Sequence, residues 1–149
     1  MNREQRISTY RRTLESGERE AAGRLSDADV KLNEAKQRLE QLERYKDDYA
    51  QSFGQRAAQG ISGPALLDYQ AFMARLADAI NQQSMLVARM EMDRQQAQQR
   101  LRDAAVKNRA VGAVVERWRA EDRTADNRKE QREIDERAQQ AMHAAAANA

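Results

Sequence analysis

The chain has no cysteine, one proline, one histidine and few aromatic residues: one tryptophan, four tyrosines and two phenylalanines among 149 residues. The lack of cysteine excludes a disulfide framework and a thiolate metal site. No apolar run approaches the roughly 20 residues that a membrane-spanning helix needs. The first residues, MNREQRISTYRR, lack the apolar segment of a secretory signal. These absences predict a soluble protein of a reducing compartment.

Neither charge sign is in large excess. The 26 basic and 24 acidic residues alternate closely and leave a formal net charge of +2. Nucleic-acid-binding proteins usually carry a one-sided basic surface, so no nucleic-acid partner is expected. The only histidine, His143, lies near the chain end, and the segment GISGP lacks the lysine of a phosphate-binding loop. We therefore predict no enzyme activity, no cofactor and no metal site.

What the chain does contain is the composition of long helices. Charged residues make up 34% of it, and hydrophobic residues 40% with alanine included. Disorder is the alternative for so polar a sequence, but apolar residues recur at alternating steps of three and four, as in a coiled-coil seam. One irregular step follows Ala21. The first series runs Ile7, Tyr10, Leu14, Gly17, Ala21, Leu25, Ala28, Leu32, Ala35, Leu39, Leu42, Lys46, Tyr49 and Phe53. The second runs Leu66, Tyr69, Met73, Leu76, Ile80, Gln83, Val87, Met90, Arg94, Ala97, Leu101, Ala104, Asn108, Val111, Val115 and Trp118.

Between the two series lies AAQGISGPALL. Gly60 suits the left-handed conformation that ends a helix, Ser62 or Gly63 can cap the next helix, and Pro64 suits its first turn. The sequence therefore predicts an all-α, antiparallel two-helix coiled-coil hairpin with a bend near residues 58–64. Residues whose numbers add up to about 122 should then face each other, such as Phe53 and Tyr69.

That pairing leaves the end of the second helix without a partner. We expect residues 1–125 to form the hairpin, and residues 126–149 to form a charged helical extension that overhangs it and ends in a frayed tail.

Most aromatic residues surround the bend. Tyr49, Phe53 and Tyr69 lie on the seam, where they can simply close the end of the hairpin. Tyr45 and Phe72 flank the seam instead, and with Ala79 they would widen the apolar stripe onto an exposed face. Such a patch is typical of a protein-binding site.

Several segments resemble the flagellar type III export protein FliJ family. They are LxxLxxYxxxY at residues 39–49, GxS at 60–62, YQxFxxxLxxAIxxQ at 69–83 and REIDERA at 132–138. The resemblance covers nearly the whole chain. It implies a non-enzymatic stalk, built as an antiparallel two-helix coiled coil, that promotes hexamer assembly of the export ATPase FliI. It also implies coupling of that ATPase to the export gate protein FlhA and a role in recycling export chaperones.

The resemblance further implies two binding sites. The surface facing the gate protein would consist of Leu42, Tyr45, Tyr49, Phe72, Leu76 and Ala79. The surface facing the ATPase ring would consist of Arg3, Arg6, Arg11, Arg12, Arg19 and Trp118. The implied location is cytoplasmic, at the inner face of the inner membrane and reaching it only through the gate. A hairpin that folds on itself is expected to be a monomer alone.

Two other interpretations remain open at this point. One is the stalk protein of a virulence type III secretion system, which shares the hairpin. The other is a structural coiled-coil scaffold, such as a homodimer, without an ATPase partner.

Overall fold

The structure is a computed structural model that describes residues 2–149, and it contains two long helices. Helix α1 spans Arg3–Ala58 and helix α2 spans Gly63–Ala147. No strand occurs within the described residues. The chain is thus an all-α helical hairpin, which confirms the predicted fold class.

Side chains and one glycine define where the helices begin and end. At the start of α1, the Gln5 amide donates to Asn2 Oδ1 at 2.8 Å, and the Asn2 amide donates back to Gln5 Oε1 at 3.2 Å. This reciprocal pair is a capping box, which satisfies amides that have no partner inside the helix. In the turn, Gly60 has a φ of 97°, a backbone conformation that is unfavourable for residues with a Cβ. The Ala65 amide then donates to Ser62 Oγ at 3.2 Å and caps α2, as expected from the sequence.

Packing divides the chain into two units. The turn-containing unit, Gly17–Ala104, includes the buried side chains Leu32, Ala35 and Leu76. Within it the Gln83 amide group donates to the Ala35 carbonyl at 3.0 Å and so ties α2 to the backbone of α1. This contact gives a polar seam residue a structural task, because a fixed hydrogen bond selects one register of the two helices.

The terminal unit combines the N-terminal residues up to Ser16 with Ala105–Ala149. Val115 is its buried apolar side chain among the described residues. From Arg119 to the chain end every residue is exposed, yet α2 remains helical to Ala147. Local bonds support this segment; Gln131, for example, donates to Asp135 Oδ1 at 3.1 Å, four residues on. The division into residues 1–125 and 126–149 stays a prediction.

The predicted seam is correct for most of both helices and wrong at a few positions. Tyr10 is 52% exposed and Gly17 is exposed, whereas their neighbours Arg11 and Glu18 are partly buried. With those replacements the steps of four and three run regularly from the start of α1, and the irregular step after Ala21 disappears. Long charged side chains can lay their carbon stems along a seam, so choosing the more apolar neighbour selected the wrong residue. At the start of α2, Leu66 is exposed as well.

None of the helices within residues 2–149 has a segment long and apolar enough to cross a membrane.

Candidate functional site

Five rings contact one another in the turn-containing unit and form what we call the aromatic cluster: Tyr45, Tyr49, Phe53, Tyr69 and Phe72. Tyr69 of α2 is stacked on Phe53 of α1 with ring centroids 3.7 Å apart and an interplanar angle of 5°. Tyr69 also stacks on Tyr49 at 5.8 Å and 11°. The cluster therefore joins both helices through ring faces.

The cluster continues from this stack towards the surface. Tyr49 contacts Phe72 with centroids 4.5 Å apart, and Phe72 meets the edge of Tyr45 at 6.1 Å. Tyr45 is 52% exposed, while Tyr49 and Phe72 are half-buried. Tyr45 also lies 6.2 Å from Tyr49, centroid to centroid. The contacts therefore run from Phe53 through Tyr69 to Tyr49, which meets both Phe72 and Tyr45, and Tyr45 is the ring most open to a partner.

The remaining residues of the predicted gate-facing set surround these rings. Leu42 and Ala79 are half-buried, whereas Leu76 is only 7% exposed. A side chain as buried as Leu76 offers little area to a partner. The structure brings the aromatic members of the set together, and Tyr45 has the largest exposed fraction among them.

Three exposed aliphatic side chains lie beside the turn; the three-four spacing placed one of them, Leu66, on the seam and gave the other two no role. Ile61, Leu66 and Leu67 are all exposed, Leu67 by 66%. A signal for this apolar tip was available in the sequence, because Arg56 is the only charged residue between Asp48 and Asp68. In a chain with 34% charged residues, a stretch with so few charges is typical of a surface that contacts another protein.

In the terminal unit a cation lies on the only tryptophan. The guanidinium carbon of Arg3 is 4.2 Å from the centroid of the Trp118 ring, and the same group is 3.6 Å from Asp122 Oδ1. A guanidinium over an indole face is attracted by the negative potential of the ring. Arg3 therefore attaches the first turn of α1 to α2 through a cation–π contact and an ion pair.

The other predicted ring-facing arginines differ in their surroundings. Arg6 and Arg12 are exposed, whereas Arg11 is half-buried, with its Nε 3.4 Å from Glu15 Oε1. Arg12, Val115 and Trp118 line a shallow groove between the helices of this unit. Arg19 is exposed and belongs to the turn-containing unit, so the predicted set is divided between the two units.

A small charged group occupies the seam of the turn-containing unit. Arg94 bonds to Glu91 Oε1 at 2.8 Å, and its Nε lies 3.9 Å from Asp29 Oδ1. The hydrogen bond from Arg94 lowers the pKa of Glu91 below its ordinary value, and the bond to Glu91 raises the pKa of Arg94. This group places a polar contact on the seam. Such contacts fix the register of two paired helices more often than they form a catalytic or ligand-binding site.

Comparison with known proteins gives a match to a protein family. The family model described as the flagellar FliJ protein matches residues 4–147, nearly the entire chain. No match was found among curated proteins or among solved structures.

Proposed function

The chain belongs to the flagellar FliJ protein family, and from this premise we propose that it is a non-catalytic stalk of the flagellar protein export apparatus. The observation that carries the proposal is the family match across residues 4–147, which includes both helices and the turn between them. The stalk promotes assembly of the export ATPase FliI into a hexamer, couples this ATPase to the gate protein FlhA and assists the recycling of export chaperones.

The terminal unit is the part we assign to the ATPase ring. Its Trp118 and its exposed arginines, among them Arg3, Arg6 and Arg12, present polar contacts beside a shallow groove. Each exposed ion pair contributes little binding free energy and is screened by salt, so a surface of this kind binds its partner weakly and reversibly. That property suits a protein that contacts several equivalent subunits of a ring in turn.

The aromatic cluster is the part we assign to the gate protein. Aromatic side chains supply large contact areas at protein interfaces, and Tyr45 exposes half of its surface beside the rings of Tyr49 and Phe72. Leu42 and Ala79 border this face, whereas the buried Leu76 offers it little area. The protein would then act in the cytoplasm, close to the inner membrane through its gate partner.

The first experiment measures ATP hydrolysis and oligomeric state of purified export ATPase with and without the full chain. We expect faster turnover and a larger hexamer fraction. The triple variant Arg3→Ala, Arg6→Ala, Arg12→Ala should lose most of the stimulation. The matched control replaces Arg24, Arg44 and Arg56, which are exposed residues of the turn-containing unit, and should keep it. No stimulation at concentrations well above that of the ATPase would remove the stalk role.

The gate contact has its own matched pair of variants. Tyr45 and Tyr10 are both 52% exposed, but only Tyr45 belongs to the aromatic cluster. Tyr45→Ala, alone and with Phe72→Ala, should weaken binding to the cytoplasmic domain of the gate protein and reduce motility. Tyr10→Ala removes the same exposed ring elsewhere and should leave this binding unchanged. Intact binding and motility in the Tyr45/Phe72 double variant would exclude the aromatic face as the gate contact.

A further inference from the structure

Tyr69 holds a central position in the aromatic cluster, although it was assigned only to the seam. It contacts two rings, with centroids 3.7 Å from Phe53 and 5.8 Å from Tyr49, and both pairs are close to parallel. Phe53 and Tyr49 lie one helical turn apart on α1, whereas Tyr69 lies in the second turn of α2. One α2 ring therefore spans two successive seam positions of α1.

Tyr49 is the ring that connects Tyr69 to the more exposed rings of the cluster. Its ring is stacked on Tyr69 and is also 4.5 Å from Phe72, which in turn meets Tyr45. Aromatic rings prefer defined offset-stacked or edge-to-face arrangements, so fixing one ring restricts the next. A tyrosine rotates about two side-chain bonds, and restricting these rotations before a partner arrives reduces the entropy lost on binding.

From these contacts we propose that Tyr69, held against Phe53, is a positioning residue of the gate-binding face. It orients Tyr49, and through Tyr49 it orients Phe72 and Tyr45, without itself being the surface that the partner covers. This inference rests on the proposed gate contact and extends it by two residues, Phe53 and Tyr69. The gate-binding face is then a preorganised row of rings anchored at its inner end.

The test compares two substitutions at Tyr69 in the full chain. Tyr69→Leu keeps an apolar side chain on the seam but removes both stacks, whereas Tyr69→Phe keeps the ring. We expect Tyr69→Leu to bind the gate protein's cytoplasmic domain roughly tenfold more weakly, because rings that are no longer held in place must be ordered when the partner binds. Tyr69→Phe should stay within about twofold of the unchanged chain, because the ring supplies the positioning. Phe53→Leu should resemble Tyr69→Leu.

A second readout needs no partner. In NMR spectra of the free protein, the ring resonances of Phe72 and Tyr45 should shift in Tyr69→Leu and remain in place in Tyr69→Phe. The control for general weakening of the seam is Val87→Ala, a half-buried position of α2 that is not part of the aromatic cluster. It should change neither the ring resonances nor the binding.

The outcomes separate the two proposals. Unchanged Phe72 and Tyr45 resonances in Tyr69→Leu, or an equal loss of binding in Tyr69→Phe, would overturn the positioning role. Shifted resonances combined with full binding by Tyr69→Leu would overturn it as well. If Tyr45→Ala binds normally, the gate contact itself is wrong, and the positioning role is rejected together with it.

Discussion

The aromatic cluster and the Arg3–Trp118 contact both join α1 to α2, but they do so by different physics. In the turn-containing unit, five rings lie against one another and three side chains are buried. In the terminal unit, an arginine rests on one ring and pairs with a half-exposed aspartate. Burial of apolar area depends little on salt, whereas exposed charge contacts are screened by it. The ring contacts are therefore expected to persist at high salt, whereas the Arg3 contact is expected to weaken there.

The largest expected effect comes from removing a buried leucine. Leu32 is 3% exposed, and Leu32→Ala should lower the free energy of unfolding by about 3 kcal/mol, through lost burial and the cavity left behind. Val115→Ala in the terminal unit removes a smaller group and should cost about 1.5 kcal/mol. Urea denaturation, monitored by the circular dichroism signal of the helices, measures both free energies of unfolding.

The exposed Leu67→Ala is the control for these two variants and should change stability by less than about 0.5 kcal/mol. Equal costs for Leu32→Ala and Leu67→Ala would contradict the difference between buried and exposed positions on which the comparison depends.

The next effect separates two glycines of the turn-containing unit. Gly60→Ala should destabilise the hairpin by about 1–2 kcal/mol, because a Cβ disfavours its positive φ. Gly54 lies inside α1, and a Cβ there would meet no atom within 4 Å. Gly54→Ala should therefore stabilise the chain by about 0.5–1 kcal/mol. Thermal unfolding of both variants gives the sign of each change in stability. The same sign for both would show that the positive φ of Gly60 does not determine the effect of adding a Cβ there.

A smaller effect is expected at the terminal unit. Arg3→Ala removes the cation from Trp118, and we expect a loss of about 0.5–1 kcal/mol at low salt. Since the chain has a single tryptophan, its fluorescence reports this unit alone, and the emission should shift to longer wavelength. The shift between the variant and the unchanged chain should shrink at about 1 M salt, where charge contacts are strongly screened.

Arg6→Ala removes an exposed arginine three residues away that has no ring beneath it, and it should leave the tryptophan emission unchanged. An Arg3→Ala emission identical to that of the unchanged chain would mean that the cation–π contact does not persist in solution.

The smallest effect concerns pH and the Glu91–Arg94 pair. The bond from Arg94 lowers the pKa of Glu91 from its ordinary 4.5, so the folded chain favours the ionised carboxylate. The contribution of the pair is therefore present above pH 4.5 and is lost as the pH falls through the lowered pKa. Glu91→Gln should have a slightly lower melting temperature than the unchanged chain at neutral pH, and the two should converge in acid. A difference that persists in strong acid would contradict this origin.

Much of the fold followed from the pattern of residues. All positions that the three-four spacing selected on α2 except Leu66 are at least partly buried, because a narrow apolar stripe can face only one neighbouring helix. Flanking positions such as Leu86 and Ala105 are partly buried too, and the spacing did not select them. Gly60 and Ser62 indicated the turn, since each residue type has a specific backbone task. At Arg11 and Glu18 the same approach failed, because hydrophobicity does not report how far a charged side chain extends along a seam.

The candidate sites were less accessible to sequence reasoning. The pairing rule brought Phe53 and Tyr69 together, but it could not show that Tyr69 also stacks on Tyr49. The spacing did place Leu76 on the seam and Tyr45 beside it, in agreement with their exposed fractions of 7% and 52%. Ring orientation depends on the side-chain rotamers at each position, which spacing alone leaves undetermined.

The residue pattern alone was enough to predict two long helices joined by a turn at Gly60, and a resemblance to an export protein family. Periodicity, turn chemistry and motif spacing are local properties of the chain, and they can be read without knowing how the helices pack. Only packing in three dimensions showed that Arg3 lies on Trp118 and that Tyr69 bridges Phe53 and Tyr49. These contacts join residues far apart in the chain, and their geometry depends on side-chain packing across both helices at once.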